Sequence, residues 1–316
     1  MVSRRPIHII QLISDLGANP AKQGAAFGPT ALIDFDKRHQ NILSSYPCTK
    51  IEVPETFSRP AILYPFARYV DIIGRHQLNA REQISSIIEQ GNFPFILSGD
   101  HSNAASAIAA IRNQNPDKKI GVIWIDAHAD LHTPYTTPSG NMHGMPVAIS
   151  LGIDNNIYNK NKPCDIEVAW WEKLKTQNGL AINSVNSRDI AFVGIRDLEE
   201  EEWDYIHAEK IKYYSPADIN GESIEQLYQS IMEYFNDYDL LYVSFDIDSM
   251  DNALVPGTGT PVVNGLTKEQ AGELLNSLWN TPKVCGVEIA EINPKIEKET
   301  TLKNVYGVLE KMFSLK

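Results

Sequence analysis

An apolar run, Ile120–Ile125, leads straight into Asp126-Ala127-His128-Ala129-Asp130. No other stretch constrains the fold as tightly. The apolar run predicts a strand buried on both faces, and the polar run that follows must end it. On an extended backbone, residues i, i+2 and i+4 project to one side. Asp126, His128 and Asp130 would then converge on one point. Carboxylates gathered at the edge of a core are costly unless compensated, and a divalent cation compensates them most simply.

The same device recurs. Residues 240–245, Leu-Leu-Tyr-Val-Ser-Phe, end in Asp246-Ile247-Asp248, and residues 93–97 end in Ser98-Gly99-Asp100-His101-Ser102. Three strand ends therefore offer Asp126, Asp130, Asp246 and Asp248 together with His101 and His128. This is more than one tetrahedral zinc takes. It suits two ions sharing bridging carboxylates, which in two-metal hydrolases sit about 3.5–4 Å apart. Oxygen-rich ligation with some imidazole favours Mn2+, with Fe, Co or Ni as alternatives. A lone Asp-x-Asp is usually a solvated turn or a helix cap, but three ligand-bearing strand ends in one chain are not explained that way. A calcium EF-hand loop starting at Asp246 is excluded, because Met250 and Asp251 stand where it needs a ligand and a glycine.

Further apolar runs at Ile7–Ile13, 190–195 and 284–289 read as strands. Helical patterns lie between them at 79–90, where Gly91 is the stop, and at 103–113, 223–235 and 266–279. The last two begin with the capping boxes Ser223/Gln226 and Thr267/Gln270. Strand–helix alternation with near-continuous apolar strands predicts an α/β fold with a parallel sheet covered on both faces. Ligands of such folds bind beyond the carboxyl ends of the strands, where every metal-type residue falls. Segments 40–59 and 154–187 read as irregular, the second as a surface excursion with one short helix. Because one candidate site draws on strands near 100, 125 and 246, the chain is expected to form a single domain, 1–316.

A formal net charge of −12 with no basic stripe argues against nucleic acid. The same charge suits a cationic substrate. The apolar run at 9–13 is too short for a signal sequence or a membrane span. Cys48, Cys164 and Cys285 form an odd set without zinc spacing, which predicts reduced thiols buried in packing and a cytoplasmic location. His8, His39, His76 and His207 lie outside any motif and are expected to be surface or core residues, and the Trp170–Trp171 pair is expected to pack. Residues 133–146 form a loop rich in hydroxyls and amides over the proposed metals, where substrate would bind.

With these motifs the chain resembles the ureohydrolase (arginase/agmatinase) family, and its arginase branch in particular. The resemblance rests on Ser-Gly-Asp-His-Ser (98–102), Asp-Ala-His-Ala-Asp (126–130), Ser-Gly-Asn-Met-His-Gly-Met-Pro (139–146) and Ser-Phe-Asp-Ile-Asp-Ser-Met-Asp (244–251). Pro-Gly-Thr-Gly-Thr-Pro-Val (256–262) and Glu-Ile-Asn-Pro (291–294) follow in family order, and Gly28-Pro29-Thr30-Ala31-Leu32 looks like the family's N-terminal signature. The resemblance implies a doubly wound, mostly parallel eight-stranded sheet and a binuclear manganese site with two Mn2+ per chain. One ion would be held by His101, Asp126, Asp130 and Asp246, and the other by His128, Asp126, Asp246 and Asp248. A hydroxide bridging the metals would attack the guanidinium carbon of L-arginine, releasing urea and ornithine. Asp248 would take the proton of the bridging water, His143 would shuttle protons to the leaving amine, and Glu291 would pair with the guanidinium. Thr137, Ser139 and Asn141 match positions that contact the α-carboxylate, and Glu199 matches an acid that reads the α-amino group. The family also implies a homo-oligomer, trimer or hexamer.

Three residues depart from the family pattern. His132 stands where arginases carry an Asn that binds the carboxylate, Glu199 where Asp is usual, and Ser98 at the first Gly of Gly-Gly-Asp-His. The first two keep agmatine, guanidinobutyrate or another guanidino compound open as the substrate. The third is expected to be structural. A metal-binding homologue without turnover is a more remote reading, since it need not retain the full ligand set with His143 and Glu291.

Overall fold

The computed structural model describes residues 6–53, 64–177 and 185–314. In chain order the elements begin β1 (Ile7–Ile13), α1 (Gly28–Lys37), β2 (Cys48–Glu52), α2 (Val70–Glu89), β3 (Phe93–Ser98), α3 (Ala104–Gln114), β4 (Ile120–Ile125), α4 (Pro146–Leu151) and α5 (Asp165–Lys175). They continue β5 (Ile190–Val193), α6 (Glu200–Glu209), β6 (Lys212–Tyr214), α7 (Pro216–Gly221), α8 (Ile224–Tyr234), β7 (Leu240–Asp246), α9 (Lys268–Trp279), β8 (Val284–Ala290) and α10 (Glu299–Phe313).

The strands form one eight-stranded sheet in the order β2-β1-β3-β8-β7-β4-β5-β6. Every pairing is parallel. Each central strand is buried on both faces because alternate side chains feed two cores. Ile9, Leu97 and Ile123 pack with α1, α8, α9 and α10 on one side. Ile10, Ile96 and Val122 pack with α2, α3 and α6 on the other. Two-sided burial is why these strands read as continuous apolar runs. The expected capping boxes form: Ser223 Oγ accepts the Gln226 N–H at 3.2 Å, and Thr267 Oγ1 accepts that of Gln270 at 3.1 Å.

Four expectations need correction. The strand β2 lies within a segment expected to be irregular, and β6 was not anticipated. Both are edge strands, and β2 buries only Ile51, so neither makes an apolar run. The helix α2 begins at Val70, well before residue 79. Its early turns contain Gly74, where a Cβ would lie 2.5 Å from the Trp170 ring. That close crossing interrupts the apolar pattern. Finally, Cys48 and Cys164 are exposed and Cys285 is half-buried, so packing is not their common role.

Register places the site. Leu97 pairs with Ile289, Ile289 with Phe245, and Phe245 with Ile125. The adjacent strands β3, β8, β7 and β4 therefore end at one level, and the segments carrying His101, Glu291, Asp246 and Asp126 leave the sheet side by side.

Candidate metal centre and substrate cavity

Each ligand-type segment turns sharply as it leaves its strand, and its own carboxylate holds the turn. Asp126 Oδ1 accepts the His128 N–H at 2.7 Å. Asp246 Oδ1 accepts the Asp248 N–H at 2.8 Å. Asp100 caps the short helix His101–Asn103, accepting the Ser102 N–H at 3.0 Å. Asp126 and Asp246 thus spend one oxygen on local backbone and turn the other, Oδ2, toward His101.

The His101 Nδ1 atom lies 3.0 Å from Asp126 Oδ2, 3.2 Å from Asp130 Oδ2 and 3.2 Å from Asp246 Oδ2. It is buried and forms no hydrogen bond among the described residues. His128 Nδ1 lies 3.2 Å from Asp248 Oδ2 and 3.4 Å from Asp126 Oδ1. The ligand atoms of His101, Asp126 and Asp246 lie within 4.8 Å of one another, as do those of Asp126, His128 and Asp248. Asp126 belongs to both groups. A buried imidazole nitrogen facing three carboxylate oxygens without a hydrogen bond is an orphan that a cation would satisfy, so the donor set fits divalent metal.

Electrostatics point the same way. Burial, then repulsion from Asp248 and Asp126, pushes the Asp246 carboxyl well above the usual range. Burial and Asp126 lift Asp130 to about 6, and burial also raises Asp248. Burial would raise Asp126 as well, but the His101 and His128 rings beside it hold it low. Carboxylates packed this closely resist joint ionisation unless cations neutralise them.

Behind His101 lies a network that the sequence reading missed. His101 Nε2 lies 2.8 Å from Ser244 Oγ, and that hydroxyl donates to Glu288 Oε2 at 3.1 Å. Tyr242 donates to the same oxygen at 2.6 Å, and the Ser98 hydroxyl donates to Oε1. Ser244 therefore accepts a hydrogen bond from His101 Nε2, which leaves Nδ1 as the ring atom turned toward the carboxylates. Glu288 is fully buried. The available signal was a lone Glu inside an apolar strand. The Ser98 departure is structural in just this sense.

A cavity of about 260 Å³ opens onto the cluster. His101, His128, Asp130 and Asp246 line one end, and Thr137, Ser139, Asn141 and His143 line the loop side. His132, Glu199 and Glu202 line it as well. The loop is a packed wall, with Thr133, Thr136, Thr137 and Asn141 all buried. Glu291, at φ 68°, is 1% exposed; its Oε1 accepts the His101 N–H at 2.8 Å and lies 3.4 Å from His143 Nδ1. Burial alone would lower the His143 pKa, but Glu291, Asp130 and Asp100 carry it above its usual value. Asp248 Oδ2 accepts the Thr260 hydroxyl at 2.9 Å.

His132 Nε2 lies 3.0 Å from Glu199 Oε2 and 3.5 Å from Glu202 Oε2. Glu199 is the N-cap of α6, and Glu202 closes the capping box by accepting the Glu199 N–H at 3.2 Å. The two acids titrate far apart. The His132 hydrogen bond draws Glu199 down to about 2, whereas burial lifts Glu202 to about 8. Glu202 was not anticipated, although Glu199-x-x-Glu202 has capping-box spacing.

Fold and cluster together define an α/β protein with a candidate metal centre beyond the carboxyl ends of the central strands. The Arginase family model matches residues 5–314, and the chain belongs to that family of hydrolases. An arginase of Entamoeba histolytica is 31% identical over 251 residues, covering 79% of this chain and 78% of its own length. An arginase of Staphylococcus aureus (strain MRSA252) is 29% identical over 310 residues, covering 94% and 93%. The crystal structure of the Entamoeba histolytica arginase in complex with L-ornithine superposes with a TM-score of 0.85 at 27% identity, covering 99% of both chains. An agmatine ureohydrolase of Thermoplasma volcanium shares the fold, with a TM-score of 0.68 at 17% identity over 98% of this chain and 89% of its own.

Proposed function

We propose that this protein is a binuclear-manganese amidinohydrolase that converts L-arginine to urea and ornithine, the whole chain acting as one catalytic unit. One observation carries the reading. The same cavity holds the carboxylate–imidazole cluster and a second polar set suited to an α-amino acid, His132, Thr137, Ser139, Asn141 and Glu199. The Entamoeba histolytica arginase, crystallised with L-ornithine, supports it.

His101, Asp126, Asp130 and Asp246 would hold one ion, and His128, Asp126, Asp246 and Asp248 the other. Oxygen-rich ligation favours Mn2+ over zinc. Bound there, the metals supply a nucleophile from water at moderate pH. Asp248 takes the proton released as water attacks the guanidinium carbon. His143 delivers a proton to the departing amine. Glu291 pairs with the guanidinium and keeps it in line. Thr137, Ser139 and Asn141 donate to the α-carboxylate with help from His132, and Glu199 takes the α-ammonium. Agmatine lacks the carboxylate and would leave those donors unpaired, a loss that can reach roughly 10⁴ in selectivity.

A second reading is a ureohydrolase acting on agmatine, guanidinobutyrate or another guanidino compound. It draws on the 3.0 Å contact of His132 with Glu199, which already engages the acid meant for the α-ammonium. A urea-release assay of the manganese-loaded protein on a panel of guanidino compounds separates the two. The expected result is a higher kcat/KM on L-arginine than on agmatine. The reverse order overturns the arginine reading and leaves the broader ureohydrolase standing. Full activity after exhaustive chelation would overturn the metal assignment.

A further inference from the structure

The loop bearing Ser139 and Asn141 is gripped from outside the cavity by residues 65–68. Gly140 sits at φ +75°, and a Cβ there would lie 2.0 Å from the Pro65 carbonyl oxygen. The two backbones touch with no space for a side chain. The Arg68 N–H donates to the Gly140 carbonyl at 2.8 Å. Its guanidinium Nη1 donates to Asn141 Oδ1, also at 2.8 Å.

The gripping segment is itself anchored. Glu167, fully buried on α5, accepts the Phe66 and Ala67 N–H groups at 2.7 and 2.9 Å through Oε1. Its Oε2 accepts the Cys164 N–H at 2.7 Å. A chain of contacts therefore runs from the surface excursion through Glu167 and Arg68 to a side chain that lines the cavity.

We propose that Arg68 is a positioning residue that sets substrate specificity. This rests on the L-arginine reading above. A side-chain amide offers both an acceptor and two donors, and a free one can present either. Arg68 engages the Oδ1 acceptor of Asn141, which favours the orientation in which the Nδ2 donors are the groups free for a substrate. Asn141 is thereby biased toward the donor role, and a cation stands behind it. Such a site favours a substrate ending in a carboxylate and gives nothing to one that lacks it.

The test uses the manganese-loaded parent, Arg68→Met, Arg68→Lys and Asn141→Asp. Two quantities are read: kcat/KM on L-arginine and agmatine, and the Kd of L-ornithine by calorimetry, which needs no turnover. In Arg68→Met the KM for L-arginine and the Kd for L-ornithine should rise about tenfold or more, as expected for loss of one charged hydrogen bond. The change in kcat should stay within about threefold, and the arginine-over-agmatine ratio should fall about tenfold. Arg68→Lys should recover part of the ratio. Metal content and thermal unfolding report folding. If Arg68→Met does not fold, Asn141→Asp decides, because it still pairs with Arg68 but turns an acceptor toward the carboxylate. It should lose selectivity for arginine by a similar factor. Equal losses on both substrates, or unchanged L-ornithine affinity, would overturn the proposal while the parent still prefers arginine. A parent that prefers agmatine and does not bind L-ornithine overturns the underlying reading and the proposal together.

Discussion

The Glu291 carboxylate accepts the backbone N–H of His101 at 2.8 Å, across 190 residues of sequence. The group proposed to hold the guanidinium is thus fastened to a segment that carries a proposed metal ligand. One hydrogen bond fixes the register between substrate and cluster. Glu291→Gln keeps an oxygen for that N–H and removes the charge. It is expected to retain metal while kcat/KM on L-arginine falls on the order of 10²–10³, the scale of losing one partner of a buried charge pair. Metal analysis beside steady-state kinetics checks this, and parent-like turnover would count against the role.

His143 and His128 should separate cleanly. His143 contacts Glu291 and lies outside the carboxylate cluster. Its replacement by Ala should leave metal content unchanged and cost a factor of about 10²–10⁴ in kcat, the usual contribution of a positioned acid or base. His128→Ala should lose bound metal along with activity. Metal loss from His143→Ala would show that its role is misassigned.

Ser244 passes the hold of Glu288 to the His101 ring. Ser244→Ala removes that hold without touching a proposed ligand. Manganese affinity, read by calorimetry, should weaken about 10–100-fold, as for other groups that orient metal-binding histidines. Unchanged affinity would make the network a packing feature only.

Glu202 gives a pH signature. Burial lifts its folded-state pKa to about 8, against about 4.3 for an unfolded glutamate. The folded state binds the proton more tightly, so this contribution to stability is complete below pH ~4.3 and lost as pH rises through ~8. Glu202→Gln cannot ionise. Its melting temperature relative to the parent should therefore climb between pH 5 and 8 and level off above; a constant difference across pH 5–8 would refute the assignment.

The central strands and the clustering of carboxylates and imidazoles were legible because two-sided burial writes continuous apolar runs and the polar residues alternate at strand ends. The edges were not, since β2 presents only Ile51 to the core. The N-terminal part of α2 was hidden where Gly74 lies under Trp170. Glu288 acquires meaning only through the β7–β8 register that sets it beside Ser244. Arg68 does so through a contact spanning 73 residues. These roles depend on pairings across the sheet and between loops, which no local pattern encodes.

The strand order also governs how the chain can be made. A nascent chain that has emerged through α8 contains two three-stranded blocks, β2-β1-β3 and β4-β5-β6, with no pairing between them. His101 belongs to one block, and Asp126, His128 and Asp130 to the other. Only when β7 and β8 slot in between does either block lose its bare inner edge, the kind of edge that invites aggregation. The last-synthesised pair is thus the keystone of the sheet. A truncation before it leaves two sticky half-sheets and keeps His101 apart from Asp126, His128 and Asp130, and closing the sheet on the ribosome must wait until β8 has emerged.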